Sequence, residues 1–427
     1  MQLKNKKVHF IGIKGIGISA VAQFFYFAGA KITGSDSPAA FPADEIFRRL
    51  KIPVFNFSDK NISSGLDLVV YSSAYNQNHP EVKKTLELGI PLKSYGEILA
   101  EIFNQGENKI VVTGSHGKTT TTTLLGHLLD VAGYKPTVFV GGISNNWQSN
   151  FKKGQLTPDG QPKWVATEGD EYQKKFLFLK PDYLLITNID FDHPDCFKNK
   201  KDYRQAFEKL KKQTTKKIFN GGKITSKFRK FLNRIDFVLL GEKNKENAFL
   251  VYKLAKELKI SDEKIKKAFK TFKGVKRRME FYSKPKTSGR KPVIIDDYAH
   301  HPEEIKATLA ALKEKYSDYK IMAIFQPHTF SRTKFLLKEF GRCFQKADRV
   351  YLLPIYASAR EQKLEENLNE ILLKEVKKHN PQTQVAPFAA KFFAEEAKNL
   401  GKKWPKLIIL TLGAGDVYKI AEELSNI

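Results

Sequence analysis

Cysteine is nearly absent from this chain of 427 residues, in which only Cys196 and Cys343 occur. Two cysteines so far apart in sequence exclude a disulfide framework and a cysteine-rich metal site. The chain also lacks any apolar run near the roughly 20 residues that a membrane helix needs, and residues 1–7 lead into a short strand rather than a secretion signal. These absences favour a cytoplasmic protein without a membrane span.

Acidic residues are scarce relative to basic ones: the chain has 46 Asp and Glu and 73 Lys and Arg, so its net charge is +27. Such a charge is compatible with nucleic-acid binding. The lysines are dispersed over helix-forming segments, however, and are not interleaved with aromatic residues as in a stacking platform. We interpret the charge as a lysine-rich solvated surface and expect no nucleic-acid partner.

Fixed-period repeats and low-complexity segments are absent too, and the length is enough for about two to four domains. Apolar runs alternate with helix-forming segments in three blocks, which predicts an α/β protein with doubly wound parallel sheets. We expect a Rossmann-like domain over 1–104, a central P-loop ATPase-like domain over 105–274 and a second Rossmann-like domain over 275–427. Strands are predicted at 8–13, 31–34, 66–71, 164–167, 183–187, 293–295, 321–325, 350–353 and 407–412, and helices at 18–28, 80–88, 119–132 and, as a pair, over 247–271.

The most informative segment follows an apolar run at 110–112 and reads Gly114-Ser115-His116-Gly117-Lys118-Thr119-Thr120. Its glycines allow backbone N–H groups to turn toward phosphate oxygens at the start of a helix. Lys118 offers a positive charge to the β- and γ-phosphates, and Thr119 offers a hydroxyl to Mg²⁺. Val112 stands where the longer motif has its first glycine, so this is a shortened phosphate-binding loop. The segment predicts nucleoside triphosphate chemistry, against the alternative of an ordinary strand–helix turn.

Two further predicted strands end in polar residues, one at Glu168-Gly169-Asp170-Glu171 and one at Asn188-Ile189-Asp190-Phe191-Asp192-His193. The carboxyl ends of parallel strands meet at one edge of a sheet, so both segments should lie near the loop. Mg²⁺ prefers hard oxygen donors and accepts an occasional nitrogen. The pattern predicts a metal site formed by Thr119, Glu168 and His193, although a capping or solvated role for the histidine is the alternative.

The first block opens with Gly12, Gly15 and Gly17 between a predicted strand and a helix, and Asp36 follows the next strand. Lys14 stands where the dinucleotide fingerprint has its second glycine, so the motif does not identify a particular nucleotide. Backbone N–H groups at a helix start bind a diphosphate whatever the base, and an acidic residue after the second strand can contact a ribose. A capping role for Asp36 is the alternative.

In the third block, two consecutive predicted strands end in histidine, tyrosine and arginine: Tyr298 and His300 after the first, His328 and Arg332 after the second. A guanidinium suits a carboxylate, and imidazoles suit an amine or a phosphate. These residues predict a pocket for a small zwitterion. The segment at 411–416 is interpreted only as a packing turn.

Taken in order, these segments resemble the Mur ligases, and the resemblance covers the whole chain. The matching segments are 9–12 with Gly15 and Gly17, 34–36, 71–74, 113–121, 168–171, 188–193, 277–280, 296–302, 325–333 and 413–416. The stretch Phe325-Gln326-Pro327-His328 with Ser331-Arg332-Thr333 is similar to the alanine-adding branch of the family.

The resemblance implies an enzyme that uses ATP and Mg²⁺ to join L-alanine to UDP-N-acetylmuramate through an acyl phosphate, as a monomer or a homodimer. Its three domains would bind the UDP-sugar, ATP with Mg²⁺, and the amino acid in that order. The implied UDP-sugar residues are Gly12, Gly15, Gly17, Asp36 and Ser73. The implied ATP residues are Gly114, Ser115, His116, Gly117, Lys118, Thr119, Thr120, Asn244, Asn247, Arg278 and Asp297. The implied amino-acid residues are Tyr298, His300, His328 and Arg332, the last three of which would be catalytic together with Lys118.

Three positions depart from the family pattern: Lys14 replaces a glycine, Tyr172 follows the acidic run where a serine is usual, and Lys243 replaces a histidine. Tyr172 favours the related ligase that attaches a recycled tripeptide, which stays open as an alternative. A nucleic-acid-dependent P-loop ATPase and a nucleotide sensor without catalytic activity are the remaining alternatives.

Overall fold

The computed structural model describes residues 2–192, 196–283, 291–357 and 367–426. The chain divides into two compact units, one of Met1–Val238 with Glu246–Val275 and the other of Leu239–Lys245 with Lys276–Ile427. Within the described ranges, the first unit contains two sheets and the second contains one. The predicted α/β class with three sheet-containing parts is therefore confirmed.

The N-terminal sheet is fully parallel, with the strand order β3-β2-β1-β4-β5. This is the order of a Rossmann-like half-sheet, in which a switch point lies between the first and fourth strands. The first strand is buried among helices, since Val8 and Phe10 are at most 1% exposed. The elements are β1 (Lys7–Ile11), β2 (Lys31–Asp36), β3 (Val54–Asn56), β4 (Leu68–Tyr71) and β5 (Leu92–Ser94), with α1 (Ile16–Phe27), α2 (Asp44–Leu50), α3 (Pro80–Glu87) and α4 (Tyr95–Gln105).

The central sheet has the order β11-β10-β6-β9-β7-β8 and is parallel except for the β7–β8 hairpin. Its strands are β6 (Asn108–Thr113), β7 (Thr137–Ser144), β8 (Ser149–Lys152), β9 (Trp164–Gly169), β10 (Tyr183–Ile186) and β11 (Lys217–Asn220). Its helices are α5 (Lys118–Val131), α6 (Lys200–Lys212), α7 (Ser226–Leu232), α8 (Glu242–Glu257) and α9 (Asp262–Thr271). The phosphate-loop strand β6 is therefore flanked by β9 and β10, which carry the two polar strand ends.

Helix α5 is formed by an unusual run of threonines, Thr119–Thr123, which are all buried. β-Branched residues lose rotamer freedom in a helix, but here hydroxyls bond to carbonyls of the preceding turn. Thr121 Oγ1 donates to Gly117 O at 2.8 Å, and Thr123 Oγ1 donates to Thr119 O at 2.7 Å. Tertiary burial stabilises a helix that intrinsic propensity alone would not favour, and the two bonds satisfy hydroxyl groups that are buried with it.

The C-terminal sheet has the order β12-β13-β17-β14-β15-β16, and only β12 is antiparallel to its neighbour. Its strands are β12 (Glu280–Phe281), β13 (Val293–Asp297), β14 (Lys320–Phe325), β15 (Arg349–Leu352), β16 (Thr383–Val385) and β17 (Leu407–Leu412). Its helices are α10 (Pro302–Lys315), α11 (Phe330–Phe335), α12 (Leu337–Cys343), α13 (Leu368–Lys377), α14 (Ala390–Lys403) and α15 (Tyr418–Ser425). Leu412 pairs with both Asp297 and Phe325, so the two predicted site segments leave the same edge.

Helix α8 straddles the division between the two units, because Glu242–Lys245 groups with the C-terminal sheet and the remainder groups with the central sheet. Within the second unit, a Cβ atom on Gly241 would lie 2.6 Å from Ala311 Cβ, and Lys245 Nζ is 3.4 Å from Glu314 Oε1. The sequence predicted that residues 239–245 belong to the central domain over 105–274, whereas the structure groups them with the C-terminal sheet. Among the described residues, no helix combines the length and apolar character needed to cross a membrane.

Candidate active site

The phosphate-binding loop lies between β6 and α5 and takes a shape that only glycine permits at two points. Gly114 has φ +134°, and Gly117 has φ +82° at the N-cap of α5. A Cβ atom on Gly114 would lie 2.7 Å from Asn188 O, and one on Gly117 would lie 2.7 Å from Asn247 Nδ2. Both positions combine a left-handed backbone with close packing, which larger residues do not tolerate. Asn247, which the resemblance implies as an ATP residue, lies beside the loop.

The segment after β10 braces this loop. Asn188 Oδ1 accepts a hydrogen bond from His116 N at 3.1 Å, and Thr187 Oγ1 donates to His116 O at 2.6 Å. Ser115 Oγ accepts from Asp190 N at 2.9 Å and lies 2.8 Å from the hydroxyl of Tyr203. These bonds fix the loop backbone before any ligand binds, which is the preorganisation that phosphate recognition needs.

Lys118 points back into its own loop. Its ammonium group donates to Gly114 O at 2.5 Å and Ser115 O at 3.2 Å, and it lies 2.9 Å from the buried Glu171 Oε2. Burial alone would lower the pKa of Lys118, but the carboxylates of Glu171 and Asp170 outweigh it and raise that pKa. The lysine is therefore held as a cation at the start of α5.

Thr119 and Glu168 lie together, as the sequence predicted. Thr119 Oγ1 donates to Glu168 Oε2 at 3.0 Å, and Gly141 N donates to Glu168 Oε1 at 2.5 Å. A hydroxyl and a carboxylate are hard oxygen donors of the kind that suits Mg²⁺. His193, the third predicted ligand, lies outside the described residues, and the residues that are described contain no cluster of three or more His, Cys, Asp or Glu able to hold a metal.

In the N-terminal sheet, the glycine-rich turn between β1 and α1 packs against two tyrosines. A Cβ atom on Gly12, which has φ +74°, would lie 2.5 Å from the Tyr75 ring, and one on Gly17 would lie 2.9 Å from the Tyr95 ring. Gly15 is the N-cap residue of α1. The turn therefore needs small residues for its packing.

Asp36 closes this turn from the end of β2. Its carboxylate accepts from Lys14 N at 2.7 Å and from Ser37 N at 2.8 Å, and burial raises its pKa. The Lys14 ammonium binds Ser37 O and Asp44 Oδ1, each at 3.1 Å, so the lysine side chain is tied to the segment after β2. The hydroxyl of Ser73 accepts a bond from Lys175 at 3.3 Å.

A buried polar network lies under the same turn. His9 Nδ1 is 2.8 Å from Thr33 Oγ1, and His9 Nε2 is 3.2 Å from Ser35 Oγ. Ser35 Oγ also donates to Glu81 Oε2, and Glu81 is fully buried at the start of α3. Burial lowers the pKa of His9 to about 4, and the nearby Glu81 opposes that shift. The network fastens β1, β2 and α3 to one another.

In the second unit, Asp297 ends β13 and is held within its own domain. Its carboxylate accepts from Ala299 N at 2.9 Å and from Thr308 Oγ1 at 3.1 Å, and burial raises its pKa to about 6. The Arg278 guanidinium carbon lies 4.6 Å from the centre of the Tyr298 ring, a cation–π contact. Asn244 Nδ2 donates to Leu240 O at 2.8 Å. Asn244, Arg278 and Asp297 thus belong to the second unit, whereas Asn247 belongs to the first.

The predicted amino-acid residues meet at the carboxyl edge of the C-terminal sheet. The ring centres of His300 and His328 are 6.0 Å apart, and Arg332 Nη1 lies 3.4 Å from His328 Nδ1. His300 Nδ1 is 3.0 Å from Tyr298 O, and burial lowers the pKa of His300 to about 3. At neutral pH this imidazole is uncharged, which leaves the guanidinium of Arg332 as a cation beside it.

Three neighbours of this cluster were not predicted from the sequence. The Tyr356 ring stacks on His328 with centres 5.6 Å apart, and Glu304 Oε2 is 3.5 Å from His300 Nδ1. Thr329 has φ +68°, a left-handed conformation that is costly for a β-branched residue. A strained residue between His328 and Arg332 marks this turn as one whose shape is held by its surroundings.

The family of the chain follows from comparison with known proteins. Residues 7–107 match the model "Mur ligase family, catalytic domain", residues 112–284 match "Mur ligase middle domain", and residues 277–415 match "Mur ligase, glutamate ligase domain". A UDP-N-acetylmuramate–L-alanine ligase of Desulfitobacterium hafniense is 36% identical over 98% of this chain and 99% of its own length. The chain belongs to the Mur ligase family.

Two solved structures resemble the fold over nearly its whole length. The UDP-N-acetylmuramate–alanine ligase of Thermotoga maritima matches with a TM-score of 0.78 at 25% identity, covering 98% of each chain. A murein peptide ligase of Psychrobacter arcticus matches with a TM-score of 0.67 at 21% identity, covering 99% of this chain and 98% of that one. At that lower identity the second likeness concerns the fold alone.

Proposed function

We propose that this chain is an ATP-dependent ligase that joins L-alanine to UDP-N-acetylmuramate in peptidoglycan synthesis, in the cytoplasm. One observation carries the proposal: a relative with that activity in its name aligns over 98% of the chain at 36% identity. The phosphate loop, with Lys118 and the Thr119–Glu168 pair at one sheet edge, supplies the chemical machinery that such a reaction requires.

Each sheet has a distinct role in this proposal, with domain limits at 1–104, 105–274 and 275–427. The N-terminal turn with Gly12, Gly15, Gly17, Asp36 and Ser73 binds the UDP-sugar. The central domain binds ATP through 114–120 and Asn247. The C-terminal cluster of Tyr298, His300, His328 and Arg332 binds alanine and the acyl phosphate.

The reaction has two steps because a carboxylate is a poor acyl donor. An oxygen of the UDP-N-acetylmuramate carboxylate attacks the γ-phosphorus of ATP, so that ADP leaves and an acyl phosphate forms. The alanine amine then attacks the acyl carbon, loses a proton, and phosphate departs. Lys118 neutralises negative charge on the phosphoryl group during its transfer, so its role is one of positioning and electrostatic stabilisation.

Mg²⁺ fits this site by its donor chemistry, since Thr119 and Glu168 bring a hydroxyl and a carboxylate together within hydrogen-bonding distance. These two residues, with His193, would hold the ion. When bound, Mg²⁺ would neutralise part of the triphosphate charge.

The C-terminal cluster suits an amino acid by its charge. Arg332 presents a planar fork for the alanine carboxylate. His300 is neutral near pH 7 because burial lowers the pKa of its imidazole, so it adds no positive charge against the alanine ammonium. His328 contacts both His300 and Arg332, and the stacked ring of Tyr356 orients its imidazole.

The test is ADP release by the purified full-length chain with ATP, Mg²⁺ and UDP-N-acetylmuramate, adding L-alanine, glycine, L-serine or the recycled tripeptide in turn. Turnover that depends on both UDP-N-acetylmuramate and L-alanine supports the proposal. Turnover with the tripeptide but not with alanine would reassign the chain to the recycling ligases, to which Tyr172 pointed. Stimulation by DNA or RNA without the sugar nucleotide would refute both.

A further inference from the structure

Glu171 forms a buried ion pair with the phosphate-loop lysine. Its side chain is fully buried, and both carboxylate oxygens lie close to Lys118 Nζ, at 3.0 Å for Oε1 and 2.9 Å for Oε2. Glu171 stands two residues beyond the end of β9, and Glu168, the predicted metal ligand, lies within that strand. The acidic run therefore supplies two carboxylates with different partners: Glu168 contacts Thr119, and Glu171 contacts Lys118.

The contacts of Lys118 use the same hydrogen atoms that a phosphate would need. An ammonium group has three N–H donors and no acceptor. The carbonyl oxygens of Gly114 and Ser115 and the carboxylate of Glu171 all lie within 3.2 Å of this nitrogen. A triphosphate that engages Lys118 must therefore replace at least one of these partners.

Of these three partners of Lys118, Glu171 is the one whose displacement by a triphosphate would reduce the free energy of ATP binding most. A charged hydrogen bond contributes more than a neutral one, and breaking a buried ion pair leaves a carboxylate without its counter-ion. Asp170, the adjacent acidic residue, also acts on Lys118 through its charge, but its described hydrogen bond is with Tyr172 N at 3.1 Å. Asp170 thus offers a comparison in which the charge is similar and the direct contact is missing.

We infer that Glu171 is a positioning residue that holds Lys118 retracted in the loop before ATP binds, and that ATP takes Lys118 over from it. This inference rests on the proposed role of the loop in ATP binding. Glu171 competes with the triphosphate for the same ammonium group, so its carboxylate weakens ATP binding while it holds the lysine side chain in place. If Glu171 had only a structural role, removing its charge would change ATP affinity in the opposite direction, because the loop would become disordered and ATP would bind more weakly.

The experiment measures ATP affinity by calorimetry on the full-length protein with Mg²⁺, without amino acid or sugar nucleotide. We expect Glu171→Gln, which keeps the shape and removes the charge, to tighten ATP binding by roughly three- to tenfold. Asp170→Asn, the matched control, should tighten it distinctly less. In a Lys118→Ala background, the effect of Glu171→Gln should fall to that of Asp170→Asn, because a double-mutant cycle isolates the pairwise coupling.

Weaker ATP binding by a folded Glu171→Gln variant would overturn the inference, as would an equal effect of Asp170→Asn or a full effect in the Lys118→Ala background. Should Glu171→Gln not fold, Glu171→Asp keeps the charge but shortens the reach, and we expect it also to tighten ATP binding; unchanged or weaker binding would count against competition. If the wild-type chain binds no ATP, the proposed function fails first and the inference with it.

Discussion

Arg332 lies one helical turn after His328, and its Nη1 atom is 3.4 Å from Nδ1 of that imidazole. The imidazole is itself stacked on Tyr356, and the strained Thr329 separates the two residues in sequence. The guanidinium is thus placed by a turn whose backbone and aromatic contacts restrict it.

Arg332→Lys should raise the KM for L-alanine about ten- to hundredfold, because an ammonium group cannot reproduce bidentate binding of a carboxylate. The loss corresponds to one charged hydrogen-bonded pair, on the order of 1.5–3 kcal/mol. Steady-state kinetics varying each substrate separately provides the measurement, and Arg342→Lys, at an exposed arginine in α12, is the control. A loss of kcat and ATP affinity with an unaltered alanine KM would instead assign Arg332 to the γ-phosphate.

Lys118→Ala should lower kcat roughly a thousandfold or more, since it removes a cation from the transferring phosphoryl group. Lys109→Ala is a matched control, because Lys109 lies at the start of β6 and also contacts a carbonyl, Gly106 O at 3.3 Å, and a carboxylate, Asp182 Oδ2 at 3.4 Å. Circular dichroism should show both variants folded. A folded Lys118→Ala variant with more than about a tenth of wild-type turnover would remove the lysine from the mechanism.

Glu168→Gln should raise the Mg²⁺ concentration needed for half-maximal activity, because a neutral amide binds a hard cation more weakly than a carboxylate. Affinity for UDP-N-acetylmuramate should change little. The measurement is a Mg²⁺ titration of initial rates, with Glu101→Gln at a surface ion pair of the N-terminal domain as the control. An unchanged Mg²⁺ dependence would leave Glu168 a structural partner of Thr119 and Gly141 only.

His9 should make the fold sensitive to mild acid. Its pKa is lowered from 6.5 to about 4 in the folded chain, so the unfolded chain binds the proton more readily. Its contribution to stability is then fully present above about pH 6.5 and declines as the pH falls toward 4, by on the order of 2 kcal/mol at about pH 5. Thr33, Ser35 and Glu81 are the groups that surround the imidazole.

Urea unfolding at about pH 7.5 and about pH 5 tests this sign. The drop in stability on acidification should be smaller in His9→Asn than in the wild type, whereas His379→Asn, at an exposed histidine, should behave like the wild type. An equal drop in His9→Asn would show that other groups dominate the acid response.

The strands that carry site residues could be predicted because apolar runs ended in glycine or polar residues. The predicted strand at 164–167 became β9 (Trp164–Gly169), and the one at 407–412 was confirmed as β17. The β7–β8 hairpin was not predicted, since the residues between its strands, Asn145-Asn146-Trp147-Gln148, contain none of the two-residue signals of tight hairpins. The alternation of apolar runs and polar residues therefore predicted the loops that follow the strands, but it did not predict the hairpin at the edge of the central sheet.

Partners within the site were harder to predict. The acidic run suggested a carboxylate near Thr119, but the period-two pattern of a strand ends at Gly169, so it could not show that Glu171 would face Lys118. Tyr203 contacts Ser115 from the first turn of α6, and the two residues are 88 positions apart in sequence. Asn244 and Asn247 share one helix, yet they fall in different units because the start of α8 packs with α10.

This division of α8 has a practical consequence for cutting the chain into pieces. A fragment that begins at Lys276 lacks Leu239–Lys245, and with it the cover that Gly241 provides over Ala311. Separating the units by proteolysis would require cleavage at 238–239, at 245–246 and at 275–276, and the second bond lies inside a helix, where proteases cut poorly. After a single cut at 275–276, residues 239–245 would still be covalently bonded to the first unit and packed within the second, so the two parts should stay together. An expressed C-terminal fragment should therefore need residues 239–245 to be added by design.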